Sequence, residues 1–579
     1  VLASRWIFQR AFALNSVWLA VGRKKMRKAA TAILILILNG LATMAASKPA
    51  DQPATIDAII DRVITNENRA NQQIKQYSPL VETYIQNLKP NKDLGYAPAG
   101  DKYFLGRADF SKGVSLVPLT DDTNNKGKKI IGSIGDFFSF GMKFLPGGFL
   151  QMIFIDMNGF DKQHYKFDYV RREFLGEVRC LVFDVTPQEK SGKGRFRGRI
   201  WVEDQDFNIV HFNGRYTGGE HSSYYFHFDS WRTNVQPGLW LPSFVYSEER
   251  DLRYALTKKL DFKGQTRLWG YNLGHAAEQQ ELSKILVEAP VQDDTNTAND
   301  LSPVQAQRAW DHQAEENVAD HLERIGLMAP RGEVDKILEA VVNNLEVTNN
   351  LDINPAVRCR VLMTTTLESF TLGHIIVLSR GLIDVLPDEA SLAAVIAHEL
   401  GHVALGHRMD SNYAFFDRLL LEDKNTFRHF YAAHTPAEEQ AASAKGFQFL
   451  SNSPYKDQLG NASLFLGALQ SRQKEIPNLI SAHLGDLVRV IAGLKTVAPV
   501  DAKQNPQMLA ALPIGGRVKL DPWFDKLDMI KTKPIGTIAE REKMQFEITP
   551  FMPYLTRFGN EPAKPIAISS AERQNQNEE

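Results

Sequence analysis

Residues 388–407 read Asp-Glu-Ala-Ser-Leu-Ala-Ala-Val-Ile-Ala-His-Glu-Leu-Gly-His-Val-Ala-Leu-Gly-His. Leu392, Val395, Ile396, Leu400 and Val403 recur at helical spacing. Pro387 and Asp388 suit the first turn, so the stretch predicts one helix. On it, His398 and His402 lie four residues apart and share a face. Two imidazoles can then meet one metal, each at ~2.0–2.1 Å. Glu399 is one residue round the helix, placed to reach a water on the metal rather than the metal. Zinc lowers the pKa of such a water from ~15.7 to about 7. A carboxylate there takes its proton and passes it to a leaving amine. The pattern predicts metal-assisted amide hydrolysis. The bland alternative is a helix with two satisfied histidines. However, two histidines and a glutamate in an apolar helix all need partners, and one metal supplies them.

Such a site needs a third protein ligand. A histidine six residues after His402 would serve, but that position is Arg408, and Leu405 stands where the long pattern has glycine. The other source is a glutamate on a later helix. Thr435-Pro436-Ala437-Glu438-Glu439-Gln440-Ala441-Ala442-Ser443 opens one, predicted over 436–451. Thr435 as cap, Pro436 at the first position and Glu438 three after the cap form a capping box. That gives Glu438 a structural role and leaves Glu439 as the better ligand candidate.

These residues resemble the zinc metallopeptidases that include the CAAX prenyl protease and the heat-shock protease HtpX, with periplasmic relatives. In that family a His-Glu-x-x-His helix is followed by a helix with Glu-x-x-Ala-Asp, whose first Glu is the third zinc ligand. The resemblance puts Glu439 on the ligand, Ala442 on the alanine and Ser443 on the aspartate, a departure. A shifted alignment puts Glu438 on the ligand and Ala442 on the aspartate. Ser369–Val377 looks like the family's strand before the active-site helix, an edge that pairs with substrate backbone. Ser481-Ala482-His483 and Arg489 match the spacing of a later His…Arg motif, although Leu484 and Gly485 stand where the family has prolines. The resemblance implies that His483 and Arg489 stabilise the developing oxyanion and that His407 is structural. It implies one zinc per chain, held by His398, His402 and Glu439, with Glu399 as general base. It covers about residues 320–490.

Upstream the texture changes. Runs such as Lys166–Val170, Arg179–Val185, Arg195–Val202, Asn208–Phe212 and Ser223–Phe228 alternate between turns at 191–194, 204–206 and 217–219. They predict an antiparallel sheet or partial barrel. In texture alone this resembles the half-barrel of periplasmic lipoprotein carriers, which hold acyl chains in an apolar concavity. The fold class expected is α+β: a mainly helical zincin-type domain with a small sheet, preceded by an antiparallel β-rich domain.

The boundaries expected are a helical segment at 48–92, the β-domain at 93–280, linker and helix at 281–330, the metallopeptidase domain at 331–500 and a C-terminal extension at 501–579 with a frayed tail. Strands are also expected at 358–363 and 374–378, and a helix over the stripe Val334 to Leu345. With 579 residues, two or three domains is the sensible prior. Hydrophobic residues at 43%, charged residues at 23% and a net charge of −1 fit a globular protein and disfavour a nucleic-acid partner. Two cysteines, Cys180 and Cys359, exclude a disulfide framework. They fall in separate expected domains, so two buried thiols are expected.

Met26-Arg27-Lys28, an apolar run from Ala29 to Leu38, and small residues through Ser47 follow the order of a secretory signal peptide at 26–47. Residues 1–25 read as an over-extended gene start. The run is short against the ~20 apolar residues of a membrane span. The expectation is therefore an exported, periplasmic zinc endopeptidase acting on unfolded or extended protein segments. Membrane association without an integral span is compatible with it. Its rivals are a silent binding protein on the same fold, or a lipid or lipoprotein carrier with an accessory peptidase domain.

Overall fold

The computed structural model describes residues 55–91, 95–111, 113–119, 149–189, 191–192, 194–217, 226–254, 258–271, 303–407, 434–481, 483–488, 493–494, 518–520, 527–529, 546, 548 and 553–558. The signal-peptide reading, the linker at 293–300, the polar tail and Arg489 lie outside them. From residue 61 on, the described residues belong to one compact unit, and the site lies in it.

Helix α1 (Ile56–Gln73) is followed by a ten-stranded antiparallel sheet. Its strands are β1 (Leu80–Asn91), β2 (Gly95–Asp109), β3 (Ser115–Pro118), β4 (Tyr165–Leu175), β5 (Val178–Pro187), β6 (Phe196–Glu203), β7 (Ile209–Tyr216), β8 (Phe228–Gln236), β9 (Leu239–Tyr254) and β10 (Lys258–Trp269). The order β3-β2-β1-β10-β9-β8-β7-β6-β5-β4 is two meanders, β1 to β3 and β4 to β10, joined where β1 pairs with β10; β3 and β4 are left as edges, so the sheet is unclosed.

Residues 80–88, read as the end of a helical segment, form β1 instead. The reason is burial on both faces. Leu80 through Gln86 are all buried, so the polar alternation that marks a half-exposed strand is missing. Of the strand expected at 223–228, residues 223–225 lie outside the described ones, and β8 begins at Phe228.

One face of the sheet packs on rings. Phe149, Phe226 and Phe262 meet at 4.7–6.1 Å between centroids, and Phe196 meets Phe212 at 5.7 Å. Each fully buried ring contributes roughly 1.5–3 kcal/mol. Glu67 of α1 and Arg232 of β8 form a buried two-bond ion pair, 2.6 and 2.8 Å, on this layer. The opposite face of β1, β2 and β10 meets the helical half. Trp269 Nε1 donates to the Gly326 carbonyl at 2.8 Å. The Asp101 carboxylate accepts from the Asn478 and Leu479 backbone N–H groups at 3.1 and 2.8 Å.

The helical half contains α2 (Pro303–Arg324), α3 (Glu333–Thr348), α4 (Arg380–Val385), α5 (Glu389–Leu405), α6 (Pro436–Ser451), α7 (Leu459–Arg472) and α8 (Pro477–Ile480). Its small sheet has β11 (Arg358–Leu362), β12 (Glu368–Leu372), β13 (Ile375–Ser379) and β14 (Asp486–Leu487), in the order β11-β13-β12-β14. The stretch 369–377, read as one edge strand, is the β12–β13 hairpin. Gly373 turns it with φ 59°, as the first central position of a two-residue hairpin requires. A Cβ there would sit 1.8 Å from Glu315 Oε1, so a larger residue would have to displace that side chain as well as adopt a strained φ. Both cysteines are buried and unpaired. Among the described residues no helix is long and apolar enough to cross a membrane.

Candidate metal centre

Helix α5 starts where Asp388 Oδ1 accepts the Ser391 N–H at 2.8 Å and ends at Gly406, which is left-handed with φ 70°. Its apolar residues are buried nearly all round, so His398, Glu399 and His402 are carried into the core. Helix α6 crosses it very closely. A Cβ on Gly401 would meet the Ala442 carbonyl oxygen at 2.5 Å, and one on Gly446 would meet that of Ala397 at 2.7 Å. Two glycines thus let the backbones touch and bring Glu439 against both histidines.

The outcome is a triangle. His398 Nε2 and His402 Nε2 are 3.3 Å apart. Each lies 3.5 Å from one carboxylate oxygen of Glu439. A tetrahedral zinc with bonds of ~2.0–2.1 Å spaces its ligands roughly 3.3–3.4 Å apart. All three side chains are buried, and neither Glu439 oxygen accepts a hydrogen bond. A buried carboxylate left so is costly unless a cation takes it up. The donor set, two imidazoles and one carboxylate, is one zinc uses in catalytic sites. Burial would raise the Glu439 carboxyl, but His398 and His402 hold it well below its ordinary value. Burial lowers His402, which favours the neutral imidazole that ligates metal.

Glu438 is not in the triangle. Its Oε2 accepts from Thr435 N and Oγ1, both at 2.8 Å, and its N–H donates to Thr435 Oγ1. This is the capping box read from the sequence, one residue off the ligand position.

The outer ring nitrogens also have partners. Ser443 Oγ lies 3.3 Å from His398 Nδ1, so the residue that departs from the family's aspartate still faces the histidine. His407 Nδ1 lies 3.0 Å from His402 Nδ1. Such contacts fix ring orientation and ligand basicity. Ser443→Ala is expected to weaken zinc binding about 10–100-fold, read by chelator competition; unchanged affinity would show that the hydroxyl plays no part.

Glu399 is held from β12: Ser369 Oγ donates to its Oε1 at 2.7 Å. The sequence reading missed Ser369, since a polar residue in an apolar strand 30 positions away gives no signal. It also missed His434, whose ring lies over His402 at 3.8 Å and whose Nε2 is 3.5 Å from Thr371 Oγ1 on β12. His483 is placed on other partners. Its Nε2 meets the Asn478 carbonyl at 2.9 Å, its N–H donates to Glu368 Oε2, and its ring lies 4.7 Å from Tyr103.

Residues 330–446 match the model of peptidase family M48, whose members are zinc metallopeptidases. No curated protein matches the chain. Among solved structures, a DUF1329 family protein from Desulfovibrio piger aligns with 9% identity and a TM-score of 0.17, over 37% of this chain and 94% of its own. A putative outer membrane lipoprotein-sorting protein domain from Vibrio parahaemolyticus aligns with 6% identity and a TM-score of 0.17, over 36% of this chain and 91% of its own. The matched segment 330–446 is the part of the chain similar to peptidase family M48, and it carries His398, Glu399, His402 and Glu439 together.

Proposed function

We propose that this chain is an exported, periplasmic zinc endopeptidase that cleaves extended or unfolded protein segments. The triangle of His398, His402 and Glu439 around an otherwise unsatisfied carboxylate carries the reading. Zinc, when bound there, supplies Lewis acidity to water and to the scissile carbonyl. His398, His402 and Glu439 hold it. Glu399, its carboxylate fixed by Ser369, takes a proton from the attacking water and delivers it to the leaving amine. His483 and Arg489 are assigned to the developing oxyanion on the family resemblance alone.

The substrate backbone is proposed to lie along β12. Among the described residues β14 pairs with β12 only at Glu368 and Ser369. In a two-residue hairpin Leu372 bonds Ile375, so the backbone groups of Thr371 point away from β13. Thr371 also neighbours His434. Pairing there asks little of substrate sequence. The export reading is supported by the residue order at 26–47.

Metal analysis beside cleavage of an unfolded protein tests the reading. Wild type is expected to carry one zinc and to hydrolyse the substrate. Glu439→Gln is expected to lose zinc and activity, while Glu438→Gln keeps both at a cost of ~1 kcal/mol in helix stability. The reverse order would move the ligand to Glu438. Zinc and peptide binding without any hydrolysis would favour the silent binding protein. Acyl chains carried by the purified chain would favour the carrier.

A further inference from the structure

We propose that the β-sheet carries a second binding site, for a phosphate-bearing ligand, in the cavity beside Arg197 and Arg215. The cavity is about 530 Å³ and is lined by Asp184, Thr186, Arg197, Arg199, Arg215 and His227 on β5 to β7 and at the start of β8. That size fits a small ligand or a headgroup, within the ~300–1,000 Å³ of such sites.

The charge arrangement points to the occupant. Arg197 and Arg215 are directly opposite each other on adjacent strands. Like charges so placed destabilise a sheet. Neighbouring cations are locally neutralised: Arg199 makes two bonds to Asp184, at 2.7 and 3.2 Å, and Lys166 meets Asp168 at 2.9 Å. Arg197 and Arg215 make no ion pair among the described residues. Asp184, the acid in the lining, is already engaged by Arg199. Two cationic forks therefore line one space without an acidic partner among the described residues.

Guanidinium groups bind carboxylate and phosphate through paired N–H donors. Two opposed forks suit a tetrahedral group with several oxygens and up to two charges better than a single carboxylate. The hydroxyl of Thr186 and the ring of His227 add donors at the rim. Trp201 and Val185 also line this space, but the groups that set it apart are the two guanidiniums; the other face of the sheet is filled by Phe149, Phe226 and Phe262. The phosphate could belong to a free metabolite or to a phospholipid headgroup, and the test separates them.

The full zinc-loaded chain is titrated with inorganic phosphate by calorimetry, and is co-sedimented with phosphatidylglycerol and phosphatidylcholine vesicles. Saturable phosphate binding without vesicle binding identifies a free ligand. Binding to phosphatidylglycerol alone, displaced by phosphate, identifies a headgroup. In either case Arg197→Gln and Arg215→Gln are each expected to weaken binding about 10-fold or more. Each should also leave the urea midpoint unchanged or raised, because the cross-strand repulsion is relieved. The proposal is overturned if neither probe binds, if the double variant binds like wild type, or if both variants lower the midpoint with binding intact.

Discussion

Replacing Glu399 by glutamine is expected to slow peptide hydrolysis by about 10²–10⁴-fold while zinc content and thermal midpoint stay at wild-type values. The geometry separates the two properties. Glu399 lies next to the proposed ligand His398 but outside the triangle of His398, His402 and Glu439, so zinc binding is expected not to depend on its charge. Its Oε1 accepts from Ser369 Oγ at 2.7 Å, and a glutamine carbonyl accepts the same bond. Size, shape and that hydrogen bond survive, while the capacity to accept a proton from water is lost. Full activity in Glu399→Gln would remove the general base from this position. Loss of zinc in the same variant would make Glu399 a metal-site residue instead. A wild type as inactive as the variant, with zinc bound, would remove the enzyme assignment altogether.

How much of this was legible depended on whether the signal was local. The spacing of His398 and His402 is a property of one helix and could be read directly. So could the cap at Thr435, which separated Glu438 from Glu439 by a single helical position. The approach of the two helices was not legible. It rests on Gly401 and Gly446, each close to the other helix's backbone, and a glycine within a helix gives no sign of what lies opposite. Long-range support was invisible for the same reason. Ser369 and His434 acquire meaning only from what they face, whereas His407 stands out through the family resemblance. Strand β1 was misread because it is covered on both faces. The second arm is legible as the short strand at 374–378, which is β13; the family-like stretch 369–377 hides the first arm, because both arms are buried and only the turn at Gly373 separates them. Ser443 was visible as a departure, but its contact with His398 needed coordinates.

Glu82→Ala is expected to cost about 3–5 kcal/mol of stability. Glu82 is buried on β1, between the sheet and the loop that leads into β12. Its Oε1 accepts the Thr365 N–H at 2.6 Å and the Tyr103 hydroxyl at 3.0 Å. Its Oε2 accepts from Thr365 Oγ1 at 2.6 Å and from Arg267 at 3.2 Å. Burial raises the Glu82 carboxyl above its ordinary value, and these donors with Arg380 offset that only in part. Alanine would leave the Arg267 guanidinium buried without its countercharge and the Thr365 N–H and Tyr103 hydroxyl without their acceptor. Glutamine keeps the shape and one acceptor and should cost less, about 1–3 kcal/mol. The loop also links this contact to the site: Thr366 Oγ1 donates to Glu368 Oε1 at 2.6 Å, Glu368 Oε2 accepts from the His483 and Leu484 N–H groups, and Ser369 holds Glu399. Urea unfolding at constant slope gives the stability change, and peptide turnover in the folded fraction shows whether β12 has moved. A Glu82→Ala midpoint within about 0.5 kcal/mol of wild type would mean that the sheet and the helical half do not depend on this carboxylate. A large loss in stability with unchanged turnover per folded molecule would mean that the sheet supports the peptidase half without positioning its substrate strand.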